Sequence, residues 1–134
     1  MKLTLPSMIC AVISFFAVMA WGKTYTMQTT PLEPGAVAKL DVKPNTGNSE
    51  LTLKVEHLAK PTLLSRPASM YVLWVERDGH EPDNEGVLRV GDKLKGAVKA
   101  TTTATRFTVL VTAEDNAKAQ RPSDRVVLRA VVQE

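Results

Sequence analysis

The residues with the greatest capacity for chemistry are two histidines, His57 and His80. The first stands where a strand is expected to end and the second in a turn-rich segment, and neither has a second His or Cys at a ligand spacing. Zinc and copper sites need several nitrogen or sulfur ligands that converge. The only cysteine, Cys10, lies in an apolar amino-terminal run. The sequence therefore predicts no histidine-based or Cys-ligated metal site, no disulfide and no cofactor.

Carboxylates are concentrated after the most apolar stretch, at Asp78, Glu81, Asp83 and Glu85. Calcium binds carboxylate and carbonyl oxygens, so this segment is a possible cation loop. Its spacing does not match a known calcium loop, and Pro82 interrupts it. We favour a solvated acidic loop that joins two strands, with a calcium site as the alternative.

Catalytic motifs are missing from the sequence. The serines at positions 49, 65, 69 and 123 do not stand in a Gly-x-Ser-x-Gly motif, and no glycine-rich phosphate loop is present. Glu114 and Asp115 are adjacent, so on an extended chain they point in opposite directions and cannot share one acid–base site. We expect a protein that is not an enzyme.

Basic residues are scattered along the chain, with 17 Lys and Arg against 14 Asp and Glu and a net charge of +3. This balance predicts neither nucleic-acid binding nor attraction to an anionic membrane. Lys93, Lys95 and Lys99, with Arg89 nearby, could form a weakly basic face for anionic polysaccharide or lipid headgroups. The alternative is that these lysines protect an exposed strand against pairing with other chains.

The best candidate contact surface is the polar loop from Glu114 to Arg125. Recognition residues are often found on exposed loops that a rigid scaffold positions. A solvated linker is the alternative interpretation. The candidate contact residues are Asn116, Lys118, Gln120 and Arg121.

A central strand at residues 70–76 is the element around which these loops must be arranged. At period two, Met70, Val72 and Trp74 point one way and Tyr71, Leu73 and Val75 the other, so both faces are apolar. We expect the indole of Trp74 to lie between the two layers of a sandwich. The predicted core anchors are Tyr71, Trp74 and Phe107.

The remaining apolar alternation predicts about eight strands at spacings of roughly 8–12 residues, which is typical of a β-sandwich. The predicted fold is all-β, an immunoglobulin-like antiparallel sandwich of seven to eight strands in one domain over residues 21–134. The expected elements are an edge strand at 23–30, a hairpin over 36–43 and 51–56 with one wet face, a connection at 59–67 that crosses between sheets, and strands at 70–76, 86–90, 94–100, 107–113 and 126–132.

Residues 1–20 have the pattern of a secretory signal peptide, with a basic start, an apolar run and small residues at its end. The predicted signal-peptide helix is removed by cleavage after Ala20 or after Gly22. The alternative is an uncleaved membrane anchor, because the run approaches the roughly 20 residues that cross a bilayer. We expect a secreted or periplasmic protein that contacts a membrane only if this segment is retained.

The order of these motifs resembles a known family. Residues 71–75, the Asp78-Gly79 turn, Gly86, residues 107–114 and the passage from Pro122-Ser123 into 126–128 are similar to the extracytoplasmic domain of anti-sigma-K-type factors and its stand-alone secreted bacterial relatives. The likeness covers roughly residues 68–132. It implies a small antiparallel sandwich outside the cytoplasmic membrane of a bacterium that senses or contacts envelope material.

The resemblance does not carry over the regulatory role. Anti-sigma factors of that type have a cytoplasmic sigma-binding domain before a membrane span, where this chain has only a signal-like segment. We therefore expect an envelope-associated binding or structural module whose partner is an envelope component or another protein. The alternatives are a sensor that acts through a membrane protein, and self-assembly in which the strand Lys23 to Thr30 completes a neighbouring sandwich.

Overall fold

Residues 22–133, the part that the computed structural model describes, form two antiparallel sheets that share one apolar core. Sheet A has the strand order β1-β3-β4-β7 and sheet B the order β2-β9-β8-β5-β6. The predicted all-β sandwich is confirmed. The strands are β1 Lys23–Thr26, β2 Gln28–Thr29, β3 Val37–Asn45, β4 Asn48–Glu56, β5 Met70–Arg77, β6 Asp83–Leu88, β7 Gly96–Thr102, β8 Arg106–Glu114 and β9 Val126–Gln133, with one 3₁₀ turn at Pro61–Leu63.

The predicted signal peptide, residues 1–20, lies outside the described residues, and so does the bond after Ala20. From residue 22 to residue 133, no helix is long and apolar enough to cross a bilayer.

The hairpin of β3 and β4 has the predicted dry and wet faces. Leu40 and Leu53 pair across the two strands and are fully buried, whereas their neighbours Lys39 and Lys54 pair on the solvent side. Gly47 closes the hairpin with a φ of 76°. Glycine adopts this left-handed conformation with less strain than any other residue. The outer face of sheet A is therefore open to water.

The amino-terminal segment was expected to be one edge strand from Lys23 to Thr30, and this expectation is wrong. It divides at Met27 into β1, which pairs with β3 in sheet A, and β2, which pairs with β9 in sheet B. Met27 is buried and its backbone N–H donates a 2.9 Å hydrogen bond to the carbonyl of Ala38. Because the segment crosses from one sheet to the other, the described residues contain nine strands instead of the predicted seven to eight.

Strand β5 is an interior strand of sheet B, paired with β8 on one side and with the edge strand β6 on the other. Tyr71, Leu73 and Val75 face the shared core, where Phe107 of β8 also lies. The connection before β5 crosses from sheet A to sheet B, as predicted. It is fastened by the Tyr71 hydroxyl, which donates a 2.6 Å hydrogen bond to the carbonyl of Ala59.

Strands β6 and β7 are displaced from their predicted positions. β6 begins at Asp83 instead of residue 86, because the register shift opposite Leu73 and Trp74 lets the chain pair on both sides of Glu85. β7 begins at Gly96 instead of residue 94, since Leu94 adopts a φ of 58° in the turn that closes with a 2.9 Å bond from Gly91 N to the carbonyl of Lys95.

Gly96 is required where this turn enters sheet A. A Cβ at this position would lie 2.3 Å from the carbonyl oxygen of Arg89, a separation that the backbone cannot accept without moving. The crossing from β6 to β7 is therefore tightly packed. It holds the end of β6 in place beside the site described next.

Candidate functional site

The outer face of sheet B contains a buried apolar patch that does not belong to the shared core. Val72 and Trp74 are both 0% exposed, yet they alternate with the core residues Tyr71, Leu73 and Val75 and so point to the opposite side of the sheet. The expectation that the indole lies between the two layers is therefore wrong. The loop between β8 and β9, residues 115–125, is hydrogen-bonded to Asn84 and Glu114 beside this patch, so we infer that it covers the patch and call it the cover loop below.

A chain of hydrogen bonds connects the indole to the cover loop. Trp74 Nε1 donates to Thr112 Oγ1 at 2.7 Å, and that hydroxyl donates to Glu114 Oε2 at 3.0 Å. The same carboxylate oxygen accepts the backbone N–H of Ser123, in the loop, at 2.9 Å. Thr112 is 0% and Glu114 5% exposed, so these polar groups are satisfied away from water. Glu114, expected at the start of the polar loop, is instead the buried last residue of β8.

Asn84 holds the middle of the cover loop. It lies on β6, where it pairs with Trp74 of β5 on the side away from β8. Its side-chain Nδ2 donates to the carbonyl of Ala117 at 2.9 Å and to the carbonyl of Ala119 at 3.0 Å. The Asn84 Oδ1 accepts the N–H of Gly86 at 2.9 Å, which fixes the amide orientation. Anchors from β8 and from β6 therefore hold the loop on both sides of the indole.

Charged pairs fasten the two ends of the cover loop. Arg125 Nη2 lies 3.3 Å from Asp115 Oδ2, and this bond holds the pKa of Asp115 below its usual range. Arg66 binds both carboxylate oxygens of Asp124, at 3.0 and 3.1 Å, and this bond lowers the pKa of Asp124. Since the ends and the middle are all held, the loop presents its outward residues from a defined backbone.

The four predicted contact residues all lie on the exposed side of this loop. Asn116 shapes the turn, because its Oδ1 accepts the N–H of Lys118 at 3.0 Å. Arg121 Nη2 lies 3.6 Å from Glu81 Oε1, and both side chains are exposed. Gln120 is exposed beside Arg121. The structure thus places two cationic and two amide side chains on one short, supported segment.

A groove of about 550 Å³ lies beside the cover loop. Its lining comes from the 3₁₀ turn, the start of β5, the end of β6 and one residue of the loop. No local pattern in the sequence predicts this groove, because the lining residues come from four separate segments. They are Lys60, Pro61, Thr62, Ser69, Met70, Val87, Leu88, Arg89, Val90 and Ala117.

The remaining candidates for chemistry are not brought together. His57 follows β4, and His80 lies in the turn after β5 with its N–H bonded to the carbonyl of Arg77 at 3.1 Å. Asp83 and Glu85 line a cavity of about 270 Å³, where burial, and then the charge of Asp83, raises the pKa of Glu85. In the described part of the chain, no three His, Cys, Asp or Glu side chains are grouped as metal ligands.

The basic residues that could have formed one face are separated. Lys95 Nζ lies 3.8 Å from Glu56 Oε1, whereas Lys99 pairs with Thr52 on the outer face of sheet A. Lys93 lies in the turn before β7, and Arg89 lines the groove.

Together, the fold and the site define a two-sheet antiparallel sandwich whose second sheet carries a supported loop on its outer face, with a groove beside that loop. No protein-family model and no curated protein matches the chain.

Proposed function

We propose that this chain is an exported, non-catalytic module of the bacterial envelope that binds an envelope component or a partner protein through the cover loop. The single observation that carries the proposal is the anchoring of this loop over the buried Trp74. A loop ordered before binding loses less conformational entropy when a partner arrives. The residues that make contact are Asn116, Lys118, Gln120 and Arg121.

Two features of the sequence support the envelope location and the class. The first is the signal-like segment of residues 1–20. The second is the resemblance of residues 68–132 to the extracytoplasmic domain of anti-sigma-K-type factors, which also suggests an immunoglobulin-like relationship between the strands. The sequence contains no catalytic motif, which favours a binding or structural role.

Export is tested by expressing the chain from Met1, with a carboxyl-terminal tag, in a Gram-negative host. Intact mass spectrometry of the osmotic-shock fraction should show the loss of residues 1–20 or 1–22. Full-length protein confined to the membrane fraction would instead support an uncleaved anchor and contradict the exported form.

Binding is tested by co-sedimentation of the purified protein with envelope fragments from a bacterial host. A variant that replaces the four contact residues with alanine should no longer sediment with the fragments. A matched variant with Lys39→Ala and Lys54→Ala, on the outer face of sheet A, should sediment as the wild type does. Equal sedimentation of both variants and the wild type would reject the loop as the contact surface. Circular dichroism confirms that each variant is folded.

Self-assembly through the amino-terminal segment is a second candidate, favoured by the way this segment is bound. β2 pairs with β9 over only two residues, and the segment from Lys23 to Thr29 lies on an edge of each sheet. A neighbour's copy could take the same position, as in strand exchange between subunits. Deleting residues 21–30 should then abolish polymers and leave a folded monomer, and polymers that persist after the deletion would count against this candidate.

A further inference from the structure

The groove beside the cover loop has several apolar lining residues, and two of them, Val87 and Leu88, belong to the edge strand β6. Met70, Val87 and Val90 are partly exposed and supply apolar surface, whereas Leu88 is 1% exposed and packs into the shared core. β6 is the last strand in the order of sheet B, and within residues 22–133 no strand pairs with its other edge. An extended peptide can hydrogen-bond to such an edge while its side chains enter adjacent apolar pockets.

The charges of the groove all have one sign. Among residues 22–133, Lys60 and Arg89 are the charged residues that line it, and no carboxylate of this range does. Lys60 Nζ bonds to Asp92 Oδ1 at 2.8 Å, but the Asp92 side chain is 96% exposed. Exposed ion pairs contribute little to stability, so an incoming carboxylate could take the place of Asp92 at small cost. The Lys60 ammonium also lowers the pKa of Asp92, as a cation does for any carboxylate that bonds to it.

The arrangement resembles a two-part recognition site. The apolar lining residues would bury a side chain, and the cations Lys60 and Arg89, which line the same groove, would select negative charge beside it. Ala117 of the cover loop lines the same groove, so a segment bound there would also contact the loop.

We propose that this groove binds an extended segment of a partner protein in which an apolar side chain is flanked by carboxylates. The inference rests on the proposed binding function and names the class of partner. Complementary charge and the unpaired edge of β6 together favour an acidic extended peptide over a small molecule.

The test is a titration of the ¹⁵N-labelled protein, residues 21–134, with a capped five-residue peptide that alternates aspartate and leucine. Amide shifts should cluster at Ser69, Val87, Val90 and Ala117. A peptide with asparagine in place of aspartate should bind at least about fivefold more weakly, because each lost charge pair weakens binding. Arg89→Glu should weaken binding of the aspartate peptide by a similar factor.

The matched control is Arg106→Glu, an exposed arginine at the start of β8 that does not line the groove. It should bind the aspartate peptide as the wild type does. Absence of amide shifts up to about 5 mM peptide, which lies beyond the affinity of weak specific complexes, would overturn the inference. So would equal binding of a peptide that alternates lysine and leucine.

Two further outcomes separate this inference from its alternatives. Binding to vesicles with anionic headgroups that Arg89→Glu abolishes, with no peptide shifts, would assign the groove to lipid and overturn the peptide assignment. If Arg89→Glu keeps full co-sedimentation with envelope fragments while the loop variant loses it, the proposed function stands and the groove inference fails.

Discussion

The outer faces of the two sheets differ although both sheets are built from the same kind of strand. On sheet A, the outward residues Lys39 and Lys54 are exposed to water. On the part of sheet B beneath the cover loop, the outward residues Val72, Trp74 and Thr112 are 0% exposed, although Arg129 and Val131 of β9 remain exposed. Alternation along a strand therefore does not show which face meets solvent, because a loop can act as a third layer.

The side chains explain why one face is covered and the other is not. An indole buries a large apolar area and carries one N–H that needs a partner, and both requirements are met under the cover loop. The outward residues of β3 and β4 are mostly lysine, threonine and carboxylates, which water solvates well. Sheet A needs no cover, so its outer face is the natural control for every test of the covered face.

Trp74→Ala should produce the largest difference between the two faces. Truncating a buried Trp costs about 3–5 kcal/mol of unfolding free energy, a large share of a total of roughly 5–15 kcal/mol. Lys54→Ala on sheet A should change it by less than about 0.5 kcal/mol. Urea unfolding of both variants measures the contrast.

Equal losses in these two variants would mean that the covered face is energetically no different from the bare one. If Trp74→Ala does not fold, Trp74→Phe keeps much of the apolar area, removes the bond to Thr112 and leaves a small cavity where the larger ring lay. Its loss of unfolding free energy should exceed the roughly 0.5–1.5 kcal/mol of the hydrogen bond alone and stay below the loss in Trp74→Ala.

Glu114→Ala should release the cover loop without emptying the patch beneath it. The substitution leaves the Thr112 hydroxyl and the Ser123 N–H without their acceptor, and each buried unsatisfied group costs about 1–3 kcal/mol. Hydrogen exchange should speed up at the Ser123 amide while the amides of β3 and β4 keep their protection. Glu50→Ala on sheet A is the control, and unchanged exchange at Ser123 would show that other anchors hold the loop.

How much of this was predictable depends on whether the signal was local. The hairpin of β3 and β4 follows from alternation, and the two apolar faces of β5 follow from residues 70–75. Which layer covers each face of β5 was not predictable. Asn84, Glu114 and Ser123 are distant from Trp74 in the sequence, and only the folded chain brings them close to the indole. Thr112 offered one weak hint, since it is a polar residue within an apolar strand.

The prediction for the amino-terminal segment was wrong for a related reason. Lys23 to Thr30 has β-forming residues throughout, and nothing in its composition shows that Met27 turns from one sheet to the other. The groove was equally out of reach, because four distant segments supply its lining.

Tyr71→Phe tests the core side of β5, opposite the indole. At neutral pH it should cost about 0.5–1.5 kcal/mol, because the bond to the Ala59 carbonyl is lost. Burial, and then the charge of Glu33, raises the pKa of Tyr71 above its ordinary value of 10.0. The folded state therefore holds this proton more tightly, so the contribution is complete below pH 10 and is lost as the pH rises above it.

The measurement is urea unfolding of the wild type and Tyr71→Phe between pH 8 and pH 11. The wild type should lose more stability above pH 10 than the variant does, so that the two curves converge. Parallel curves across this range would show that the Tyr71 hydroxyl ionises as easily in the folded state as in the unfolded one.

Arg66→Gln should have the smallest effect on the unfolding free energy and a clear effect on the pKa of one carboxyl, that of Asp124. Arg66 holds the pKa of Asp124 below its ordinary value of 3.8, so the variant should return the pKa upward toward that value. The folded pKa is depressed in the wild type, so this pair contributes above pH 3.8 and is lost as the pH falls through the folded value. Because the pair is exposed, the unfolding free energy at neutral pH should change little.

Carboxyl ¹³C shifts followed from pH 2 to pH 6 report the Asp124 pKa directly, and Asp115, paired with Arg125 instead, is the internal reference. A rise in the Asp124 pKa alone, with Ser123 amide exchange unchanged, would show that buried hydrogen bonds and not surface charge hold the cover loop against sheet B. Faster exchange at the Ser123 amide in Arg66→Gln would contradict this conclusion, since the loop would then depend on the ion pair at its end.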